Sequence, residues 1–240
     1  MTKANLPPLF RTPANPAGSI CGLSCDSCFY LQKAQLYVDS RTRLDKDKCD
    51  FLRDNNIVAG LSAEAFPAEH DSLMRDLALL KLHDVDYQVL VSVNRHEVDY
   101  PLEVYKFFRD DVEAEWLQFI PVIERVDDSG VSDRSVTPEQ WGNFLVTVFD
   151  EWIANDVGRT FVHTFEVAAN RWMGNITGSN ALPTECRQCD VLFACQGECP
   201  KNRFICTPSG EPGLNYLCLG YKQFYRHIGQ AMTILAQILR

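Results

Sequence analysis

The sequence predicts an α/β protein, with a parallel sheet and crossover helices followed by a small Cys-rich C-terminal domain. Three observations carry that expectation. Short apolar, β-leaning runs alternate with stretches of helical period through the middle of the chain. Beyond residue 183 the composition changes to cysteine, glycine and proline, before a last helical stretch. The 240 residues, 46% hydrophobic and 23% charged, suffice for a real core, which excludes disorder throughout, collagen-like repeats and a coiled coil.

The elements follow in order. Residues 57–62 are short and apolar, a candidate buried strand. Residues 71–83 carry Leu73, Leu77 and Leu80 at helical spacing, with Leu79 filling the same face. Residues 87–93, rich in Val and Leu, are the next strand. Residues 101–110 form a helix with Pro101 in its first turn. Residues 116–123 are a third strand. Thr137-Pro138-Glu139-Gln140 has capping-box spacing and Pro at the first helical position, so a helix runs from there to about residue 155. Residues 159–165 are expected as a strand, followed by a short helix to about Met173. Residues 174–183, rich in Gly, Ser and Asn, form a linker, and a final helix covers about 220–239. Two domains are expected, 1–178 and 179–240.

The formal net charge of −9 argues against a duplex nucleic-acid partner, which needs a basic face to displace counterions. Residues 1–20 hold Pro7, Pro8, Pro13 and Pro16 with Lys3 and Arg11, and lack the apolar run of a secretion signal. No stretch approaches the roughly 18 apolar residues of a membrane span. The expectation is a cytoplasmic protein with no membrane partner and reduced thiols.

The ten cysteines are the anomaly: three near the start, Cys49 alone, and six between Cys186 and Cys218. In a chain of this length without a secretion signal, such clusters point to metal or redox work rather than disulfides. Cys21, Cys25 and Cys28 are spaced by three and two residues and followed by Phe29 and Tyr30. Three thiolates hold three irons of a 4Fe–4S cubane and leave the fourth iron open, whereas a pure electron carrier normally has four cysteine ligands. The alternatives are an incomplete zinc site or three unrelated thiols. Zinc favours paired CxxC spacing completed by Cys or His, and the first histidine is His70.

CxxxCxxC with a following aromatic resembles the signature of radical S-adenosylmethionine enzymes. "SICGLSCDSCFYLQKAQLY" resembles in particular the anaerobic sulfatase-maturating enzymes. The resemblance continues in "GLSAEAFPAEHD", in "VSVNRHEVDYPLEVYKFFRD", and in the long stretch from "WLQFIPVIERV" to "ANRWMG". It resumes in "LPTECRQCDVLFACQGECPKNRF" and "PSGEPGLNYLCLGYKQFYRHI". It implies a shortened partial (β/α) barrel of the radical S-adenosylmethionine type. It implies that the open iron binds S-adenosylmethionine, and that one-electron cleavage gives methionine and a 5′-deoxyadenosyl radical. That radical takes hydrogen from a Cys or Ser of a sulfatase polypeptide, which becomes formylglycine. The implied electron donor is a flavodoxin or ferredoxin. The cofactor carries the hard chemistry while the protein positions it and excludes water.

Cys186, Cys189, Cys195, Cys199, Cys206 and Cys218 form the second array, in which zinc has real weight because CxxC is also a zinc-knuckle element. The resemblance assigns Cys186, Cys189, Cys195 and Cys218 to one auxiliary 4Fe–4S cluster, and Cys199 to a different one. Cys206 and Cys49 match no ligand; Cys49 is expected as a core thiol in a helix.

Departures from the family pattern are large. A Gly-Gly-Glu-Pro segment that would hold the substrate's amino group has no counterpart after Tyr37. A stretch between Asn175 and Leu182 is also missing, with three ligands of an auxiliary cluster and the aspartate proposed as base. Cys199 is therefore expected to have no cluster to complete, and no catalytic base is assignable. Other peptide-modifying chemistry of the same group, or a degenerate non-catalytic iron–sulfur or zinc protein, are the alternative readings.

Ser62, placed at the end of a strand, matches a S-adenosylmethionine contact, and the C-terminal end of a parallel strand is where α/β ligand sites form. Asn94 has the same placement after residue 93, against the alternative of a turn-capping residue. Tyr30 is either near substrate or simply packed on the cluster loop. Gln118, with Ile120 and Pro121, either flanks adenine or belongs to the core. His163 reads as a core histidine in a strand.

Overall fold

The computed structural model describes residues 36–38, 44–66, 70–127, 130–174 and 182–238. Strands β1 (Leu36–Val38), β2 (Ala59–Glu64) and β3 (Tyr87–Val93) are separated by helices α1 (Lys46–Asp54) and α2 (His70–Leu82). Helix α3 (Pro101–Lys106) runs into a π turn over Phe107–Asp111 before β4 (Trp116–Pro121). A small hairpin, β5 (Arg125–Asp127) and β6 (Gly130–Val131), precedes α4 (Pro138–Asn155), β7 (Phe161–Val162) and α5 (His163–Trp172). Strands β1-β2-β3-β4-β7 pair in that order, all parallel, into a five-stranded sheet. This is the expected α/β fold, a partial (β/α) barrel.

Local chemistry sets the helix starts. The Asp45 carboxylate accepts from the Lys48 backbone N–H at 3.0 Å and caps α1. Thr137 and Gln140 form a reciprocal capping box at α4, with Pro138 in the first turn. Along α4, Trp141, Phe144, Leu145, Val148, Phe149 and Trp152 recur at helical spacing and are buried. Cys49 is a fully buried thiol inside α1, as its surroundings suggested.

One face of the sheet is apolar. Leu61, Val89, Leu117 and Val162 lie in register across it, as do Ala63, Val91 and Phe119. All seven belong to the single apolar core shared with the helices, and Phe119 meets Phe144 of α4 edge-on at 5.2 Å.

The strand expected at 159–165 is only two residues long. Among the described residues β7 pairs with β4 alone, and from His163 the chain turns helical because Phe165, Ala168 and Ala169 recur at helical spacing and are buried. His163 therefore opens a helix rather than sitting in a strand. Similarly β2 extends to Glu64, so Ser62 lies inside the strand, not at its end.

The C-terminal part holds short helices α6 (Thr184–Arg187) and α7 (Leu192–Cys195), a 3₁₀ turn at Pro200–Asn202, and a hairpin of β8 (Ile205–Cys206) and β9 (Pro212–Leu214). It ends in α8 (Cys218–Ile238), which starts two residues earlier than expected. The boundary expected at 178/179 falls outside the described residues. Helix α8 lies directly on α4. A Cβ on Gly220 would stand 2.1 Å from the Pro138 carbonyl oxygen and 2.9 Å from the Gly142 nitrogen, so the two backbones touch. Phe224 of α8 stacks with Phe165 at 5.8 Å and meets Phe149 at 6.2 Å. The same crossing is clasped at its rim by Gln223 donating to Asn143 and by His227 against Asp150, both at 2.7 Å.

Candidate active site and thiol cavity

The other face of the sheet is different in kind. Ser62, Leu90 and Gln118 lie in register across β2, β3 and β4, and Glu64, Ser92 and Ile120 form the next row. Gln88 extends this face towards the strand starts. Leu90 is buried yet lies outside the helix-packed apolar core, which marks it as facing away from the helices. A parallel sheet buried on both faces normally reads as continuous apolar strands. Here one face carries Ser62, Glu64, Gln88, Ser92 and Gln118, the lining of a lumen rather than of a core. Sequence reasoning found Ser62 and Gln118 but missed Glu64, Gln88 and Ser92. The signal was Gln88 and Ser92 on one face of "YQVLVSV", hidden by Leu90 between them and the run's overall apolar character.

Asn94 follows β3 at the C-terminal edge of the sheet. Its side-chain oxygen accepts from the backbone of His96 at 2.9 Å, and its own N–H donates to Glu97 at 2.9 Å. It caps the turn, the alternative weighed for it.

Two further titratable groups lie in the first turn of α5, just past β7. Burial pushes the Glu166 carboxyl up to about 7. Burial, and then the Arg171 charge, push His163 down to about 3, so its ring is neutral. Tyr30, with Cys21, Cys25 and Cys28, lies outside the described residues.

The second array lies entirely within the described residues. Cys186, Cys189, Cys195 and Cys218 line one cavity, together with Glu185, Val191, Leu192, Gly197, Leu214 and Lys222. Cys186 comes from α6, Cys189 from the turn after it, Cys195 from the end of α7 and Cys218 from the start of α8. The thiols feel one another: Cys189 and Cys186 both bear on Cys218, and Cys218 bears on Cys195. Burial raises the thiols of Cys186, Cys195 and Cys218 above their ordinary range. Bare thiolates are thus disfavoured there, and a metal centre is what would stabilise them.

Among the described residues, no three His, Cys, Asp or Glu side chains converge closely enough to ligate one metal ion. The four thiols surround a common space instead, a soft, all-sulfur donor set that suits an iron–sulfur cluster. The space is tight, about 20 Å³, room for about one water. Cys199 stands outside this lining, at the start of the 3₁₀ turn, and Cys206 is exposed in the β8–β9 hairpin.

The cavity wall is held by an unusual turn. Gln196, Gly197 and Glu198 all have positive φ, at 50°, 70° and 48°. Their three carbonyls converge on one guanidinium: Arg203 donates to Gln196 at 3.0 Å, Gly197 at 2.9 Å and Glu198 at 2.6 Å. A Cβ on Gly197 would meet the Leu182 side chain at 2.5 Å. The Gly197 backbone N–H works against burial at Cys195, favouring its thiolate. Asn215 closes the turn from the other side, donating to the Gly197 carbonyl at 3.2 Å.

A larger cavity, about 850 Å³, lies at the opposite end of the strands, lined by Lys81, Tyr87, Glu113, Trp116 and Arg159 among others. Ligand sites in parallel α/β sheets form at the strand C-termini, so this one is not the candidate site.

The chain thus combines a parallel partial barrel of polar inner face with a four-thiol C-terminal cavity. By sequence it is similar to the anaerobic sulfatase-maturating enzymes. It is 27% identical to the serine-type anaerobic sulfatase-maturating enzyme of Bacteroides thetaiotaomicron, over 93% of this chain and 90% of that one. It is 27% identical to the cysteine-type enzyme of Clostridium novyi over 65% of this chain and 46% of that one. It is also 30% identical to the uncharacterized protein YidF of Escherichia coli, over 52% of this chain and 68% of that one. The alignment to the Bacteroides enzyme spans 375 positions, more than the 240 residues of this chain, so that relative carries long stretches with no counterpart here. Among solved structures, native anSMEcpe with bound AdoMet superposes with a TM-score of 0.70 at 18% identity, over 82% of this chain and 73% of that one. The same protein with AdoMet and the Cp18Cys peptide gives 0.71 at 18% identity, over 81% and 74%. Those structures share the fold. No protein-family model matches the chain.

Proposed function

We propose that this chain is a radical S-adenosylmethionine oxidoreductase that converts a Cys or Ser of a sulfatase polypeptide to formylglycine. The observation that carries the reading is the gathering of Cys186, Cys189, Cys195 and Cys218 around one cavity, beside a barrel sheet whose inner face is polar. The relatives' names point the same way.

In this reading Cys21, Cys25 and Cys28 hold the catalytic 4Fe–4S cluster. When bound, that cluster supplies the electron that cleaves S-adenosylmethionine to methionine and a 5′-deoxyadenosyl radical. Ser62 and Gln118, in register on the inner face, offer hydrogen bonds to the cofactor, and Asn94 and Tyr30 complete its expected surroundings. Leu90 between Ser62 and Gln118 supplies an apolar surface that excludes water. The C-terminal thiols hold one auxiliary cluster whose four sulfur ligands leave no open iron, which suits electron transfer away from substrate. Its electrons, and those for the catalytic cluster, would be exchanged with a flavodoxin or ferredoxin. The setting is cytoplasmic. Among the described residues no helix is long and apolar enough to cross a membrane.

A second reading, a cluster-binding protein without catalysis, is favoured by the long stretches of the Bacteroides relative that have no counterpart here. One experiment separates the two. The protein is reconstituted anaerobically with iron and sulfide and given dithionite and S-adenosylmethionine, and 5′-deoxyadenosine is quantified against a Cys21→Ala, Cys25→Ala, Cys28→Ala control. Product in the parent alone supports the enzyme. Iron bound without product leaves the non-catalytic reading. A sulfatase peptide assayed for formylglycine then tests the substrate.

A further inference from the structure

We infer that Lys222 and Glu185 form a charge pair on the wall of the thiol cavity that sets the reduction potential of the centre held there. This rests on the reading of the cavity as a cluster site. Both side chains line the cavity with the four thiols. Lys222 stands one helical turn after Cys218 on α8, and Glu185 directly precedes Cys186 on α6. Their charged ends lie 3.4 Å apart, with Lys222 only 23% exposed and Glu185 38%. The two therefore meet across the cavity rim, each beside a different ligand.

Their actions on the thiols are opposed. From their places on the cavity wall, the Lys222 ammonium favours negative charge on the sulfurs beside it and the Glu185 carboxylate disfavours it. The same signs apply to a cluster bound by those sulfurs. An all-thiolate 4Fe–4S centre is already anionic, and one-electron reduction adds a further negative charge. A nearby ammonium stabilises the reduced state more than the oxidised one, and a carboxylate does the reverse. Other charged groups near the array, the Arg171–Glu198 pair beside Cys195 among them, lie outside the cavity lining. Arg203 is tied to three carbonyls of the 196–198 turn, and Arg226 is paired with Asp190 at the surface. Lys222 and Glu185 are the opposed pair of charges in the cavity wall itself.

The test uses the full chain carrying Cys21→Ala, Cys25→Ala and Cys28→Ala, so that the C-terminal array alone takes up the cluster. After anaerobic reconstitution, iron and sulfide are counted and the midpoint potential is read by a dithionite titration followed by EPR. Lys222→Gln is expected to lower the potential, Glu185→Gln to raise it, and Lys222→Arg to stay near the parent. Loaded protein in which the first two variants keep the parent potential, or shift it in the same direction, overturns the inference while leaving the cluster reading intact. A parent that takes up no iron and sulfide overturns both. If Lys222→Gln fails to load, Glu185→Gln still decides, because an unraised potential there overturns the pair's role.

Discussion

Arg171 of α5 and Glu198 of the thiol-bearing turn meet at 3.1 Å, with Tyr225 of α8 donating its hydroxyl to the same carboxylate. The Arg171 guanidinium also reaches the Ala194 carbonyl, next to Cys195. One buried arginine thus ties the barrel, the cavity wall and the last helix together. Removing it leaves the largely buried Glu198 carboxylate with the Tyr225 hydroxyl but without a counter-charge. Arg171→Met is expected to destabilise by about 3 kcal/mol, and adding Glu198→Gln should recover part of that loss. Urea unfolding of the single and double variants measures both. Equal stability of the single variant and the parent would show that the pair does not hold the two parts together.

Helix α8 offers an internal comparison of two glycines. A Cβ at Gly220 collides with the Pro138 carbonyl and with α4, whereas a Cβ at Gly229 meets nothing within 4 Å. Gly220→Ala is expected to cost at least the roughly 1–3 kcal/mol of overpacking, since backbone rather than a flexible side chain must move. Gly229→Ala is expected to stabilise by about 0.5–1 kcal/mol through helix propensity. Thermal melts of the two variants side by side check the opposite signs.

Glu166 makes stability depend on pH in an unusual direction. Its carboxyl is only 7% exposed and titrates near 7 in the folded protein, against an ordinary value of 4.5. The folded state therefore binds more protons than the unfolded chain between those values. Stability is full below about pH 4.5 and falls as pH rises through 7, by about 3 kcal/mol from this group. Glu166→Gln should flatten that part of the profile and be the more stable protein at pH 8. Denaturant midpoints at pH 5 and pH 8 would expose the idea as wrong if both proteins showed the same change.

The cavity separates the C-terminal cysteines into two sets. Alanine at Cys186, Cys189, Cys195 or Cys218 is expected to abolish stable C-terminal iron binding, because each lines the cavity. Alanine at Cys199 or Cys206 should leave it intact. Iron and sulfide analysis of the six variants, in the background lacking the N-terminal thiols, gives the answer directly. Iron loss from Cys199→Ala equal to that from Cys195→Ala would redraw the ligand set.

The parts of the fold that were legible share a local cause. The Leu73–Leu77–Leu80 period, the Thr137 capping box and the run at 87–93 each announce their element within a few residues. The family resemblance, rather than the spacing alone, singled out the four cysteines that line the cavity. What escaped depends on partners distant in sequence or on backbone detail. The π turn at Phe107–Asp111 brings Arg109 to the buried Asp156 at 2.9 Å, and nothing in "FFRDD" demands it. β7 was overestimated because its β-leaning residues lose to a helix whose apolar face is completed by α8. The left-handed run at Gln196–Glu198 exists because Arg203 and Asn215 hold its carbonyls, and only Gly197 hinted at it. Glu166 looks in sequence like any surface acid, and only burial gives it its character.

The backbone contact between Gly220 and α4 also bears on the order of assembly. Cys186, Cys189 and Cys195 sit within ten residues of one another and need only local structure to come close. Cys218 is two residues ahead of Gly220, so it reaches the cavity only once α8 has seated on α4. Since metal ligation and folding are coupled, a complete ligand set requires α8 in place on α4. Metal uptake at this site would then report on a finished barrel, and half-folded chains would present three thiols rather than four.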